Sequence, residues 1–335
     1  MRFCLTALVV LLGLLSIEPA YADCTNATAP LDQLICNTPD IAAKDRALNE
    51  KYHAAMAQLS DAGKQHLKAG ERKWLALVRA ACGSQVGQSD GEAARCLAVQ
   101  YDERLAQLDG AAKRIGPYLL SRIDDFAFQR RPADDKYGGL RTRHYSRPYI
   151  DQPSTPETEA WNRMVAELAD QTERALYWEH TGEEVPANIL DMGTMSVTFT
   201  LGLGSEDFLS VAIDSFMYLD GYSHGWGKIS TSARLMKLSR EVKIEEIFEP
   251  GSDWEATLRA ECEAAMKERD GRQEFSCVDV GPQTGWIPTQ DGPLLVVYLD
   301  AIPYSNVYLG TEVDVRWTNL RPLLRADLPF AIPPE

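Results

Sequence analysis

"TMSVTFTL", residues 194–201, alternates without interruption: Met195, Val197, Phe199 and Leu201 fall on one side, and Thr194, Ser196, Thr198 and Thr200 on the other. A period of two over this length predicts a half-buried antiparallel strand. Residues 208–218 and 228–238 continue the sheet, and residues 293–299 and 311–317 give two closing strands. Ser252 and Glu255 have capping-box spacing ahead of a helix carrying Trp254, Leu258, Cys262 and Met266. Upstream, Thr155-Pro156 opens a helix with Trp161, Val165, Leu168, Thr172 and Ala175 on one face. A strand is read at residues 118–128. The Gly- and Pro-rich polar stretch 130–156 reads as loop or irregular strand. Strand, helix, strands, helix, strands is the order of an α+β domain.

Before residue 112 the period changes. Ile41, Leu48, Tyr52, Met56 and Leu59 recur at helical spacing after Thr38-Pro39, where an N-cap hydroxyl precedes a proline at the first helical position. A second helix carries Leu67, Trp74, Leu77 and Val78, and a third Leu97, Tyr101, Leu105 and Leu108. Gly116-Pro117 is read as the break after it. Asp45 with Arg79 or Arg104 is expected as a partly buried pair fixing the helices, because a buried charge needs a partner. Tyr52, Trp74 and Tyr101 are read as core.

The first residues set the compartment. Arg2, the apolar run 7–15 and Ala20-Tyr21-Ala22 form a secretory signal peptide, residues 1–22, cut after Ala22. A periplasmic or secreted protein is expected. No later segment has about 18 unbroken apolar residues, so no membrane span is expected. Removing Cys4 leaves Cys24, Cys36, Cys82, Cys96, Cys262 and Cys277, an even set that implies disulfides in an oxidising compartment. The first four allow three pairings; Cys24–Cys36 with Cys82–Cys96 closes the shortest loops. Cys277 is expected to bridge back to Cys262. This grouping divides the chain into a small disulfide-bridged helical domain at 23–112 and an antiparallel sheet domain with packed helices at 118–330. The net charge of −15 disfavours nucleic acid and favours a cationic partner by steering.

"DGYSHGWG", residues 220–227, is the stretch most like a catalytic loop. Gly221 and Gly225 are read as positive-φ positions of the turn. Ser223 and His224 are neighbours, and on a strand neighbours point to opposite faces, so no nucleophile lies under its base. No nucleophile elbow, H-E-x-x-H, C-x-x-C or glycine-rich phosphate cradle appears. Acidic pairs such as Asp124-Asp125 and Glu183-Glu184 read as solvated loops. No metal, no cofactor and no enzymatic activity are expected.

Two stretches carry resemblances. "LDQLICNTPDIAAKDRALNEKY", "ERKWLALVRAAC" and "CLAVQYDERLAQL" resemble the LprI-type lysozyme inhibitors, with Asp45, Leu48, Asn49, Tyr52, Trp74, Arg79, Tyr101 and Arg104 at the fitting positions. "YLDGYSHGWGKISTSARLMKLSREVKIEEIF" and "LLVVYLDAIPYSNVYLGTEVDVRWTNLRPLL" resemble RsiV-like and PdaC-like extracellular domains of the DUF3298 type. PdaC-type chains carry a catalytic domain after this part, and none follows here before Glu335. Together the resemblances imply a non-enzymatic binding protein for a cationic, lysozyme-like muramidase. Tyr222, Ser223, His224, Trp226, Tyr304 and Tyr308 are the expected partner-binding residues. The alternative is a peptidoglycan-binding module in which Tyr222, Trp226, Trp286 and Tyr304 stack on sugars.

Overall fold

The computed structural model describes residues 24–132, 134–136, 139–270, 277–297 and 311–334. The expected signal peptide lies outside the described residues, as do Tyr304 and Tyr308. The chain opens with four helices: α1 (Pro30–Asn37), α2 (Pro39–Gln58), α3 (Asp61–Cys82) and α4 (Asp90–Asp109). Helix α1 was not anticipated. It ends at Thr38, which also begins α2, and the Thr38 side chain makes no cap hydrogen bond. The side-chain caps fall elsewhere: Ser60 accepts from the Gly63 amide and Ser89 from the Glu92 amide. Leu48, Tyr52, Leu67, Trp74, Leu97 and Tyr101 fill the core between the helices. Disulfides Cys24–Cys36 and Cys82–Cys96 staple this thin layer.

Gly116-Pro117 does not end a helix. It is the two-residue turn of a hairpin joining β1 (Ala112–Ile115) to β2 (Tyr118–Arg131), with Ile115 opposite Tyr118 and Gly116 at φ +55°. Polar residues also conceal β3 (Gly139–Ile150), which pairs with β2 over its whole length although the sequence reads as loop. Helix α5 (Pro156–Thr181) follows, with the expected start: Thr155 caps it in a reciprocal box with Thr158. It crosses over to β4 (Gly193–Leu201). The alternating strand therefore has two kinds of edge: parallel to β3 at residues 195–197 and antiparallel to β5 (Phe208–Leu219). Strands β6 (Trp226–Leu235) and β7 (Arg240–Glu241) complete a sheet of order β1-β2-β3-β4-β5-β6-β7.

Helix α6 (Trp254–Asp270) comes next. Ser252 bonds the Glu249 carbonyl instead of capping it, while Glu255 pairs with Arg259 one turn on, so the expected box is not formed. Strands β8 (Gly285–Pro288), β9 (Pro293–Val297) and β10 (Thr311–Asp314) form a second sheet of order β10-β9-β8, and a short α7 (Trp317–Leu320) follows. Strand β8 was missed in the sequence. Cys262–Cys277 ties α6 to the segment beyond it. The whole is α+β.

Laterally paired residues share a face of a sheet. On one face Val197, Val211 and Ile213 pack against Trp161, Val165 and Ala169 of α5. The other face is shared. Phe126 of β2 enters the core of the helices, whereas Ala212 and Ile229 meet Ile287, Leu294 and Val296 of the small sheet. Helices and small sheet thus sit side by side over one surface.

The helices lock onto the sheet through charge. Arg104, fully buried, binds Glu71 at 2.8 Å and Asp124 at 2.8 Å. Arg122 binds Asp124 at 2.8 Å and donates to the Gln107 carbonyl. The expected arginine partner is therefore met by Glu71 and Asp124; Arg79 is exposed, and Asp45 accepts the Tyr101 hydroxyl at 2.7 Å. Two glycines allow this approach. A Cβ on Gly70 would lie 2.9 Å from that of Asp124, and one on Gly63 2.7 Å from the Asp151 carboxylate that holds Ser60. The arginines hold the Asp124 carboxyl well below its usual range against the cost of burial. Burial pushes Glu71 up.

Candidate functional site

The hairpin tip between β5 and β6 is a bend, not a strand. Gly221 takes φ +89°; Gly225 does not, and is required instead because a Cβ there would strike the Phe216 ring and the Met217 carbonyl. Trp226 is buried. His180 stacks on it at 4.7 Å, and the rings of Tyr222 and His224 meet it edge-on at 4.8 and 5.3 Å. Of the expected binding residues, Tyr222 and Ser223 are exposed, His224 is half-buried, and Trp226 anchors the tip from within. The His224 Nδ1 lies 3.3 Å from the Gly225 carbonyl. Burial holds the His180 imidazole below its ordinary value. Trp286 is core as well, donating to the Val242 carbonyl at 3.1 Å.

Between the helices and the small sheet, part of the sheet surface stays exposed. Its floor is the row Asp214, Phe216 and Tyr218 of β5, each beside a hydroxyl of β4: Thr198, Ser196 and Thr194. Phe216 and Tyr218 are 38% and 40% exposed, and the Tyr218 hydroxyl donates to the Tyr222 carbonyl, continuing the row to the tip. Edge strand β10 forms one wall. Its Glu312 and Asp314 pair with Val296 and Leu294, the residues that pack on Ala212 and Ile229. Their side chains therefore share the face turned toward Asp214, which itself pairs with Ile229. Burial raises the Asp214 carboxyl, and burial with repulsion from Asp214 and Asp314 raises Glu312. Across the floor, the end of α4 and β4 enclose a cavity of about 320 Å³ lined by Gln107, Gly110, Lys113, Arg122, Thr198 and Phe199.

The sequence reading missed Asp214, Phe216, Tyr218 and Glu312. Residues 208–213 are apolar apart from Ser210, and Phe216 and Tyr218 on the opposite face to Ile213, Met217 and Leu219 are aromatic, so the strand reads as buried on both faces. The only signal was Asp214 interrupting that run. Among the described residues, no group of three or more His, Cys, Asp or Glu side chains is arranged to hold a metal ion, and no helix is long and apolar enough to cross a membrane.

Residues 24–108 match the family model described as "Lysozyme inhibitor LprI". The helical part is LprI-like. Those residues span α1 to α4 and both of their disulfides. No curated protein matches the chain. Among solved structures, a DUF3298 family protein from Pseudomonas aeruginosa is similar at 14% identity and TM-score 0.39, over 65% of this chain and 98% of that one. A DUF3298 family member from Bacteroides fragilis is similar at 12% identity and TM-score 0.37, over 64% of this chain and 96% of that one.

Proposed function

We propose that this chain is an exported, non-enzymatic lysozyme-binding protein that inhibits a basic muramidase by occluding it. The LprI match over residues 24–108 carries this reading. The net charge of −15 supports it, because an acidic surface draws a basic partner and speeds encounter. In this reading residues 1–22 direct export, and the helical unit 23–112 and the sheet unit 118–330 act together across the exposed sheet surface, with Tyr222 and Ser223 at its rim. The test mixes the mature protein with a basic lysozyme. Co-elution on size exclusion and a fall in cell-wall clearing at near-stoichiometric amounts are expected. Unchanged clearing at a large excess of the protein sinks the reading. Buried Trp226 and Trp286 are unavailable to stack on sugars, so insoluble peptidoglycan alone is expected to retain none of the protein.

A further inference from the structure

Strands β3 and β4 pair for three residues, from Arg143 with Met195 to Tyr145 with Val197, and then the ladder stops. The chain gives the reason. Gly202, just past β4, donates to the Ser210 carbonyl of β5 at 3.2 Å, which sets the phase of that antiparallel pair. Alternate residues of β4 therefore bond β5, and those between them, Val197, Phe199 and Leu201, turn their N–H and C=O toward β3. In register, the β3 donors for the Phe199 and Leu201 carbonyls would be the amides of Pro148 and Ile150. Proline has no N–H. The Ile150 amide donates instead to Asn162 of α5 at 2.7 Å, and the Asn162 amide donates to the Ile150 carbonyl at 3.1 Å. Asn162 thus stands in for a strand at Ile150, while among the described residues no strand or side chain pairs with Phe199 and Leu201 on this side. The cavity of about 320 Å³ lies against that bare stretch. Its other wall is Ala106, Gln107 and Gly110 with Lys113 of β1 and Arg122 of β2, strands that lie on the β3 side of β4 in the sheet order. Arg122 is buried, with its guanidinium 5.5 Å from the centre of the Phe199 ring. Lys113 is exposed and meets no carboxylate among the described residues.

We propose that this slot binds the carboxyl end of a short extended peptide, its main chain pairing with Phe199 and Leu201 and its terminal carboxylate meeting Lys113. Bare N–H and C=O groups at strand spacing select an extended main chain. Ala106, Phe199 and Leu201 suit small apolar side chains, and an ammonium at the wall selects a carboxylate. The slot is separate from the tip around Tyr222 and goes beyond the reading of the chain as a muramidase inhibitor, which does not depend on it.

The experiment titrates acetyl-Ala-Val-Ala with a free carboxyl end, and the same peptide amidated, into the isotope-labelled full chain and follows amide shifts by nuclear magnetic resonance. The variants are Leu201→Pro, Ala106→Phe, Lys113→Gln and a control, Lys267→Gln, at an exposed lysine elsewhere. Leu201→Pro removes an N–H that faces the slot and no bond to β5. Ala106→Phe narrows the slot from an exposed position of α4, so the test stands if the proline variant fails to fold, which circular dichroism reveals. The free-acid peptide is expected to shift the amides of Phe199 and Leu201 and to bind about threefold more tightly than the amidated one, a difference that Lys113→Gln removes and the control keeps. Leu201→Pro and Ala106→Phe are expected to weaken both peptides by about five- to tenfold. No shift of these amides at millimolar peptide, or binding unchanged by Ala106→Phe, overturns the slot. Equal affinity for the two peptides overturns the assignment of the carboxyl end. Each of these results leaves the lysozyme test above untouched.

Discussion

Asp124 at the helix–sheet junction and Asp214 further along lie on the same sheet and are treated oppositely. Asp124 is buried between Arg104 and Arg122, takes a hydroxyl hydrogen bond from Ser146 at 2.7 Å, and stays ionised. Asp214 is exposed at the sheet surface with no cation beside it among the described residues, and partial burial raises its carboxyl. Where this fold needs a charge for its own cohesion it provides the counter-charge within the chain.

The largest effect is expected at the junction. Arg104→Met strands Glu71 and Asp124 in the interior and is expected to cost about 3–5 kcal/mol in urea unfolding. A loss below about 1 kcal/mol would erase the contrast. Next comes Gly70→Ala. An added methyl in a helix ordinarily helps, but here it meets Asp124 and its backbone carbonyl at 2.9 and 3.3 Å, and about 1–3 kcal/mol of destabilisation is expected. A gain would mean that α3 shifts off the sheet freely.

Asp214 and Glu312 should respond with the opposite sign. A carboxyl raised in the folded state costs stability at neutral pH, and that cost fades as pH falls toward the ordinary carboxylate range near about 4. Asp214→Asn/Glu312→Gln is therefore expected to leave unfolding unchanged or gain about 0.5 kcal/mol at pH 7, with no gain near pH 4. Marked destabilisation at pH 7 would show that these acids are structural. Asp124, depressed, runs the other way: its contribution is present above about pH 4 and is lost as pH falls through its folded value.

The smallest effect concerns His66, which faces Tyr149 of β3 edge-on across the junction. Burial, with nearby Arg147, lowers its imidazole. A depressed histidine contributes stability that is complete above about pH 6.5 and declines as pH drops below it. The melting temperature should fall by roughly 1–2 °C between pH 7 and 5.5, and His66→Gln should remove part of that fall.

Legibility followed the kind of contact. Helices α2, α3 and α4 were readable because apolar residues recur on one face that packs on neighbouring helices. The strand at 194–201 was readable because it has one wet and one dry face. Strand β3 was not, because "RTRHYSRP" spends its polar residues on Asp124, Asp125, Glu173 and Asp220 across the sheet and helices, contacts that leave no hydrophobic period. At the tip, the aromatic content was visible but its direction was not: the sequence offers Trp226 as a contact, and His180, 46 positions earlier, covers it.

The sequence by itself determined what depends on near neighbours and composition: the periods of the helices and of the alternating strand, the capped start of α5, the even set of cysteines and the acidic balance. Tertiary structure alone decided which charges are answered. Arg104 finds Glu71 and Asp124 from 33 and 20 positions away, and Glu312 comes to face Asp214 only because β9 packs on Ala212 and Ile229. Electrostatic energy depends on distance and burial in space, and neither is written in the order of residues.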